Sequence, residues 1–186
     1  MNRLPLLDFS MSGTADCVVI GGGPAGLSAA FYLARAGWKT LVLEPGRLGG
    51  RCARLGRITN HPAFPGGVEG AALSRRFHRQ AKLHGAAFAP AMAEAIEAVP
   101  EGLRIVLREG SVRTRAAVVA TGTDFLPLGL PNEERFQGRG LEHAQFEAAS
   151  RWRNRSVAVV GGGETAAHQA LRLAEEENII KRYTLP

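Results

Sequence analysis

Two glycine-rich turns are the segments of this sequence whose residue types and spacing favour chemistry. They are Gly21-x-Gly23-x-x-Gly26 and Gly161-x-Gly163-x-x-Ala166. In such a turn the first glycine permits the bend, the second lets the backbone approach a pyrophosphate, and the third position keeps a helix close to a strand. The N-terminus of that helix then stabilises the phosphate charge. The pattern predicts two nucleotide-binding units.

An acidic residue, Glu44, supports this interpretation of the first turn. It lies 23 residues after Gly21, where a carboxylate accepts hydrogen bonds from ribose hydroxyls. The alternative is an ordinary glycine turn with Glu44 on the surface. The apolar strand before the turn, the helix after it and the strand that ends at Glu44 together favour the dinucleotide site.

The elements that must position these residues follow from hydrophobic periodicity. A β-branched run precedes each turn and an Ala/Leu-rich stretch follows it, which predicts helices over 25–36 and 165–176. We predict a parallel strand over 40–44, a loop over 45–70 and a helix over 71–85. A meander is predicted over 93–99, 104–108 and 112–114, with a separate buried strand over 118–122.

Composition limits the classes of protein to which the chain can belong. Of the 186 residues, 45% are hydrophobic and 22% are charged, which disfavours disordered, collagen-like and coiled-coil chains. The longest apolar runs are too short to cross a bilayer, so we expect no membrane partner. The formal net charge of +6 comes from scattered arginines without a basic run, so we expect no nucleic acid partner.

The two cysteines, Cys17 and Cys52, form neither a disulfide framework nor a zinc pattern. Their use is typical of a reducing compartment. We therefore expect a cytoplasmic protein with no metal site.

Several motifs together resemble the thioredoxin-reductase-like flavoproteins, and the resemblance runs from about residue 15 to residue 176. In order they are the Gly21–Leu27 turn, Glu44, Gly49-Gly50, the stretch 60–70 that begins Asn60-His61-Pro62, Ala120-Thr121-Gly122, and the second glycine turn. The resemblance implies an α/β chain with a three-layer, doubly wound FAD/NAD(P)-binding Rossmann-type fold. The FAD-binding domain is expected over 15–125, after an extension over 1–14. A linker is expected over 126–155 and the start of an NAD(P)-binding domain over 156–186.

The resemblance also implies binding roles, which can be carried over residue by residue. The residues expected to contact FAD are Gly21, Gly23, Pro24, Ala25, Gly26, Glu44, Gly49, Gly50, Asn60, Thr121 and Gly122. Those expected to contact NAD(P)H are Gly161, Gly163, Glu164 and Ala166. The activity implied is hydride transfer from NAD(P)H to FAD and onward to an unidentified acceptor, either a small molecule or a redox protein. The chain is also compatible with a homodimer.

The sequence departs from the family pattern in two places. Disulfide-reducing members carry Cys-x-x-Cys shortly before the second turn, whereas the corresponding stretch here is 141–148, LEHAQFEA. The family's return of the chain to the FAD domain would lie beyond Pro186, so we expect the sequence to be an N-terminal portion of such an enzyme. The residue that distinguishes NADP from NAD is expected near Thr184. The alternative from another class is a non-catalytic remnant that binds a dinucleotide or nothing.

Three further features leave their roles open. Cys52 is either a thiol that faces the flavin or a small loop residue, and the lack of a neighbouring base or second cysteine favours the loop residue. His61 is either a proton donor to reduced flavin or a packed histidine, and the packed residue is favoured. The arginines of the glycine-rich loop either attract an acidic partner or a cofactor phosphate, or form a solvated loop, which is favoured; they are Arg47, Arg51, Arg54 and Arg57.

Overall fold

A computed structural model describes residues 14–124, 126–143, 152–175 and, as backbone, 179–183. The chain divides into two compact units, with the division after Gly122. We describe each unit by itself. Among the described residues, no helix combines the length and the apolar character needed to span a membrane.

The first unit contains eight strands and two α-helices. The strands are β1 (Thr14–Ile20), β2 (Thr40–Leu43), β3 (Arg57–Ile58), β4 (Val68–Glu69), β5 (Ala87–Ala89), β6 (Ala93–Val99), β7 (Gly102–Leu107) and β8 (Ser111–Val119). The helices are α1 (Pro24–Arg35), a 3₁₀ helix (Gly50–Arg54) and α2 (Gly70–Leu83). Six of the strands form one sheet in the order β5-β2-β1-β8-β7-β6, in which the β5-β2-β1-β8 part is parallel and β8-β7-β6 is an antiparallel meander.

The hydrophobic core lies on both faces of the parallel strands. Val19 and Val42 face the helices and pack with Ala30 of α1 and Ala81 of α2. On the opposite face, residues of β1 and β2 pack against the meander; this cluster includes Val18, Ile20, Leu41, Leu43, Ile105 and Leu107. Because strands buried on both faces read as continuous apolar runs, the Val18–Ile20 and Leu41–Leu43 segments became the central strands. The resulting layers are helices, parallel sheet and meander, in the predicted α/β class.

The end of the meander differs from the sequence prediction. Residues 112–114 and 118–119 belong to one continuous strand, β8, rather than to two strands, and residues 120–122 follow it. The first part of β8 pairs antiparallel with β7, while Arg113–Val119 pairs parallel with β1. The stretch left between the two predicted strands, residues 115–117, begins with Arg115, whose side chain is exposed, and the backbone pairing with β1 continues through it.

The segment predicted as a loop over 45–70 contains regular structure. It holds the 3₁₀ helix and the two-residue strands β3 and β4, which pair antiparallel. Gly70 explains how this segment packs, since a Cβ there would lie 2.1 Å from the carbonyl oxygen of Cys52. The start of α2 is therefore pressed directly on the end of the 3₁₀ helix, a contact between backbones that residue propensity does not reveal.

The described residues of the second unit include two α-helices, α3 (Glu133–Phe136) and α4 (Glu164–Ala174), and two strands, β9 (Ser156–Val160) and β10 (Ile179–Tyr183). The two strands pair in parallel, with Ser156 opposite Ile179. The order β9, glycine turn, α4, β10 is a βαβ crossover like that of β1, α1 and β2. The helix predicted over 165–176 is therefore observed, with shifted bounds.

Candidate functional site

The first glycine turn lies where the carboxyl ends of three parallel strands meet. The Gly21 amide donates to the Leu43 carbonyl oxygen at 2.8 Å, and the Ala120 amide donates to the Ile20 carbonyl oxygen at 2.8 Å. Gly21 has φ +108°, and a Cβ there would lie 2.2 Å from the Ala120 carbonyl oxygen. Only glycine fits this position, so the turn is fixed by β8 as well as by its own spacing.

The other two glycines of the turn have distinct roles. A Cβ on Gly26 would lie 1.9 Å from the Gly21 carbonyl oxygen, so this glycine lets α1 approach β1. A Cβ on Gly23, in contrast, would meet no atom within 4 Å, and the backbone there has an ordinary φ of −75°. The space beside Gly23 is therefore left open by the fold, as a backbone that must approach a pyrophosphate requires.

The N-terminus of α1 is open to an anion. Gly23 caps the helix without a side chain, Pro24 occupies the first turn, and no acidic residue stands in that turn. Ala25 is exposed, so it places no bulk over the helix end. The unsatisfied amides and the helix dipole thus remain available for a phosphate.

Glu44 is held beside this turn by backbone amides. Its Oε2 accepts from the Gly22 amide at 2.7 Å, and its Oε1 accepts from the Gly46 amide at 2.9 Å. A carboxylate has about four lone-pair sites, so each oxygen can still accept from a hydroxyl. Glu44 is therefore positioned as the predicted ribose acceptor requires.

The Gly49-Gly50 pair lies beside the first glycine turn. The Gly49 amide donates to the Gly22 carbonyl oxygen at 2.7 Å, and a Cβ on Gly50 would lie 3.3 Å from the Gly23 Cα. Gly49 has φ +102° and contacts Ser74 of α2, since a Cβ there would lie 2.6 Å from the Ser74 Cβ. The two loops therefore form one wall of the open space beside Gly23, which we call the cleft.

The remaining predicted FAD residues, Asn60, Thr121 and Gly122, are exposed. The Cα of Thr121 lies 3.1 Å from where a Cβ on Gly21 would stand, and Thr121 and Gly122 are both exposed after β8. Asn60 is exposed in the loop between β3 and β4. The structure thus brings Thr121 to the turn and places Asn60 on a separate loop.

That separate loop, residues 60–67, is held by two arginines. The guanidinium of Arg57 donates two hydrogen bonds to the Gly66 carbonyl oxygen, and that of Arg76 stacks 5.0 Å from the Phe64 ring. His61 lies edge-on to Phe64 at 5.5 Å, and its Nδ1 is 2.7 Å from the Pro62 carbonyl oxygen. These contacts describe a packed histidine, as favoured above.

Cys52 faces the start of α2. Its thiol is 3.9 Å from the Gly70 carbonyl oxygen, and the residue is half-buried. Across the described residues no group of three or more His, Cys, Asp or Glu side chains is arranged to hold a metal ion.

The second turn repeats the geometry of the first with one difference. Gly161 has φ +138°, and a Cβ on Gly163 would meet no atom within 4 Å. A Cβ on Gly161 would lie 3.3 Å from the Cβ of Ala166, which replaces the third glycine, so α4 accommodates a methyl group where α1 cannot. Glu164 is exposed and lies 3.6 Å from His168 on the next helical turn. The expected specificity position, Thr184, lies outside the described residues.

Sequence reasoning missed three contributors to the first site. They are Gly22, whose amide binds Glu44, Ala120, whose carbonyl fixes Gly21, and Ser74, which supports Gly49. Ala120 stands in the Ala-Thr-Gly motif, which was the available signal. Ser74 is distant in sequence, and its hydroxyl is buried without a hydrogen-bond partner.

The sequence and fold match known proteins over most of the chain. The model of the pyridine nucleotide-disulphide oxidoreductase family matches residues 15–182. Thioredoxin reductase of Streptomyces coelicolor is 34% identical over 177 residues, which cover 92% of this chain and 55% of that protein. Thioredoxin reductase of Bacillus subtilis is 32% identical over 173 residues, covering 90% of this chain and 54% of that protein. The chain therefore spans about half the length of these curated relatives.

Solved structures give the same result. The crystal structure of Lactococcus lactis thioredoxin reductase superposes with a TM-score of 0.84 at 30% identity, over 91% of this chain and 56% of that one. The crystal structure of T. acidophilum thioredoxin reductase gives a TM-score of 0.78 at 26% identity, over 87% of this chain and 53% of that one. The segment that the family model matches contains both glycine turns.

Proposed function

Because the chain belongs to the pyridine nucleotide-disulphide oxidoreductase family, we propose that it supplies the cofactor-binding portion of a flavin-dependent NAD(P)H oxidoreductase. Thioredoxin reductases of this family bind FAD and NADPH. Since the chain spans about half of its curated relatives, the activity of the whole protein is part of this proposal.

The open space beside Gly23 is the observation that carries the proposal. It lies at the uncapped N-terminus of α1, where the fold leaves room for a pyrophosphate and supplies backbone amides to bind it. Glu44 then accepts the ribose hydroxyls, and the Gly49-Gly50 wall closes the cleft. The same open space at Gly163 supports NAD(P)H binding by the second turn.

FAD, when bound, supplies the redox chemistry by accepting a hydride from NAD(P)H and releasing its electrons to an acceptor. The residues of this chain bind and orient the two cofactors. The 186 residues hold no Cys-x-x-Cys pair, so we propose an acceptor that is not reduced through a dithiol of this segment. The protein is proposed to act in the cytoplasm, and a homodimer is compatible with this function.

The test is a pair of Gly→Ala substitutions at positions where the protein itself has room for a Cβ. The chain is loaded with FAD and desalted, and the retained visible flavin absorbance is measured. Gly23→Ala fills the space for the pyrophosphate, so we expect FAD affinity to fall roughly tenfold or more, which corresponds to about 1.4 kcal/mol or more. Gly163→Ala is the matched control and is expected to retain FAD as the parent does.

The same samples test the second turn when NADPH is added without oxygen. The flavin absorbance of the parent should bleach, and that of Gly163→Ala should bleach only at higher NADPH concentration. Equal flavin retention in the parent and in Gly23→Ala would contradict the proposed FAD site. A folded parent that retains no flavin would favour the non-catalytic remnant.

A further inference from the structure

Helix α2 carries a row of basic side chains on its solvent face. Its buried side is formed by Gly70, Leu73, Ser74 and Ala81. Arg75, Arg79 and Lys82 are exposed and spaced four and three residues apart, so they lie along one stripe of the helix. We call these three residues the basic stripe.

The composition of α2 makes the stripe unusual for a solvated helix face. The helix, GAALSRRFHRQAKL, contains no Asp or Glu, so no carboxylate three or four residues away offsets the repulsion between its cations. Residues 45–85 as a whole hold eight Lys and Arg and one Asp or Glu, Glu69. The excess of positive charge in this segment is larger than the net +6 of the entire chain.

Several arginines elsewhere in the first unit lie close to carboxylates. Arg104 pairs with Glu97, Arg108 lies 3.7 Å from Glu94, and Arg115 lies 3.9 Å from Asp16. Three arginines of the meander therefore lie within 4 Å of a carboxylate oxygen. By contrast, Arg57 donates to a carbonyl oxygen and Arg76 of α2 stacks on an aromatic ring, and both of these partners are neutral.

The helix that carries the stripe lies beside the proposed cofactor cleft. Its buried side contacts the cleft wall through Ser74, which packs on Gly49, while the stripe faces solvent on the other side of the helix. Arg51 and Arg54 are exposed on the 3₁₀ helix that begins at Gly50, and α2 packs on that helix. A partner that covers both the stripe and the 3₁₀ helix would therefore come next to Gly50 of the cleft wall.

We propose that the basic stripe docks the acidic surface of a protein, which serves as the electron acceptor left unidentified above. This step rests on the proposed function, because it names the class of acceptor for the same site. Clustered positive charge without local carboxylates raises the rate of encounter with an acidic partner and selects against basic ones.

The surroundings of the stripe favour a protein over a nucleic acid. Leu83, next to Lys82, is 75% exposed and offers the apolar contact that protein interfaces place inside a polar rim. The stripe spans the eight residues from Arg75 to Lys82, about 10 Å of helix, which is short compared with the repeated phosphates of a duplex groove. Phe77 is the one Phe, Tyr or Trp between Arg75 and Lys82, and it is half-buried with its ring edge-on to His61 at 6.2 Å, so it is not presented to stack on a base.

The test compares two variants that each lose three positive charges. In one, Arg75→Gln, Arg79→Gln and Lys82→Gln remove the stripe. In the matched control, Arg108→Gln, Arg113→Gln and Arg115→Gln remove charge from the meander. Binding of FAD-loaded chains to two probes, an acidic [2Fe–2S] ferredoxin and a short DNA duplex, is measured at low and at physiological salt.

We expect the parent to bind the ferredoxin at low salt, and the stripe variant to bind it about tenfold more weakly, with less than about threefold loss in the control. Equal loss in both variants would show that only total charge matters and would overturn the proposal. So would tighter binding of the duplex than of the ferredoxin, or no binding of the ferredoxin by the flavin-loaded parent. A parent that retains no flavin contradicts the proposed function instead, so the two failures are distinguishable.

Discussion

Glu133 shows how one carboxylate can organise a segment of backbone. It is buried, and its two oxygens accept from the amides of Leu128, Gly129 and Leu130 at 2.9, 2.8 and 3.2 Å. His143 lies 3.4 Å from its Oε1. The hydrogen bond from Leu128 is the largest of the effects that lower the pKa of Glu133 below its usual value of 4.5, and burial opposes them. The ionised form is therefore the one that holds residues 128–130.

The lowered pKa of Glu133 predicts how the stabilisation of residues 128–130 depends on pH. Since the folded pKa is lowered, the stabilisation is fully present above 4.5 and is lost as the pH falls through the folded value. The amide resonances of 128–130 should titrate together with a midpoint below 4.5, and Glu133→Gln should abolish that titration. A midpoint at or above 4.5 in the parent would contradict the assignment of these bonds.

Cys17 and Cys52 should differ in reactivity. Cys17 is 4% exposed, and burial, together with the charge of Asp16, raises the pKa of its thiol. We expect alkylation of the native chain near pH 8 to modify Cys52 well before Cys17, and both to react after denaturation. Peptide mass spectrometry locates the label, and Cys52→Ser is the control, which should be almost unlabelled when native. Rapid native labelling of Cys17 would show that β1 is not buried as described.

At the scale of elements, the first βαβ unit depends on one close backbone contact. Gly26→Ala would place a Cβ 1.9 Å from the Gly21 carbonyl oxygen, so α1 must move away from β1. We expect this overpacking to lower the free energy of unfolding by about 1–3 kcal/mol or more, as measured by urea denaturation. Gly23→Ala, three residues away in open space, is the matched control and should change it by less than about 0.5 kcal/mol. A similar loss in both variants would contradict the division of roles between the two glycines.

The elements also show which features the sequence could predict. The β1, α1, β2 unit and the positions of Gly21, Gly23, Gly26 and Glu44 follow from local spacing, because a short turn and its helix fix their own geometry. The continuity of β8 does not follow, because it depends on which strands lie on either side, and exposed arginines break the apolar pattern. The contact of Ser74 with Gly49 depends on packing between distant segments, so it has no local signal.

At the scale of the whole molecule, the described residues of the two units differ in how many buried apolar side chains they include. Most of the buried apolar side chains lie in the first unit, whereas Leu173 is the one described buried apolar side chain after Gly122. Val160 of β9 and Leu171 of α4 are exposed. Since burial of apolar surface is the main stabilising term, the second unit should be the less stable.

Hydrogen exchange measures this difference directly. Amides of β9 and α4 should exchange much faster than those of β1, β2 and the β1-paired part of β8. Saturating NADPH should slow exchange in the second unit if its glycine turn binds the nucleotide. Equal protection in the two units without ligand would show that the second unit is stabilised by contacts outside the described residues.

β8 pairs with β7 along its first part and with β1 further on, and this has a consequence for folding during synthesis on the ribosome. The Thr114 hydroxyl donates to the carbonyl oxygen of Asp16, 98 residues earlier, so one edge of β1 receives its strand long after β2 has covered the other. Translation proceeds at about 5–20 residues per second, so that edge of β1 stays unpaired for roughly 5–20 s before β8 has been synthesised. The nascent chain therefore passes through a period in which β1, with its apolar Val18, Val19 and Ile20, offers an open backbone edge, and chaperones that bind such edges are expected to act in that interval.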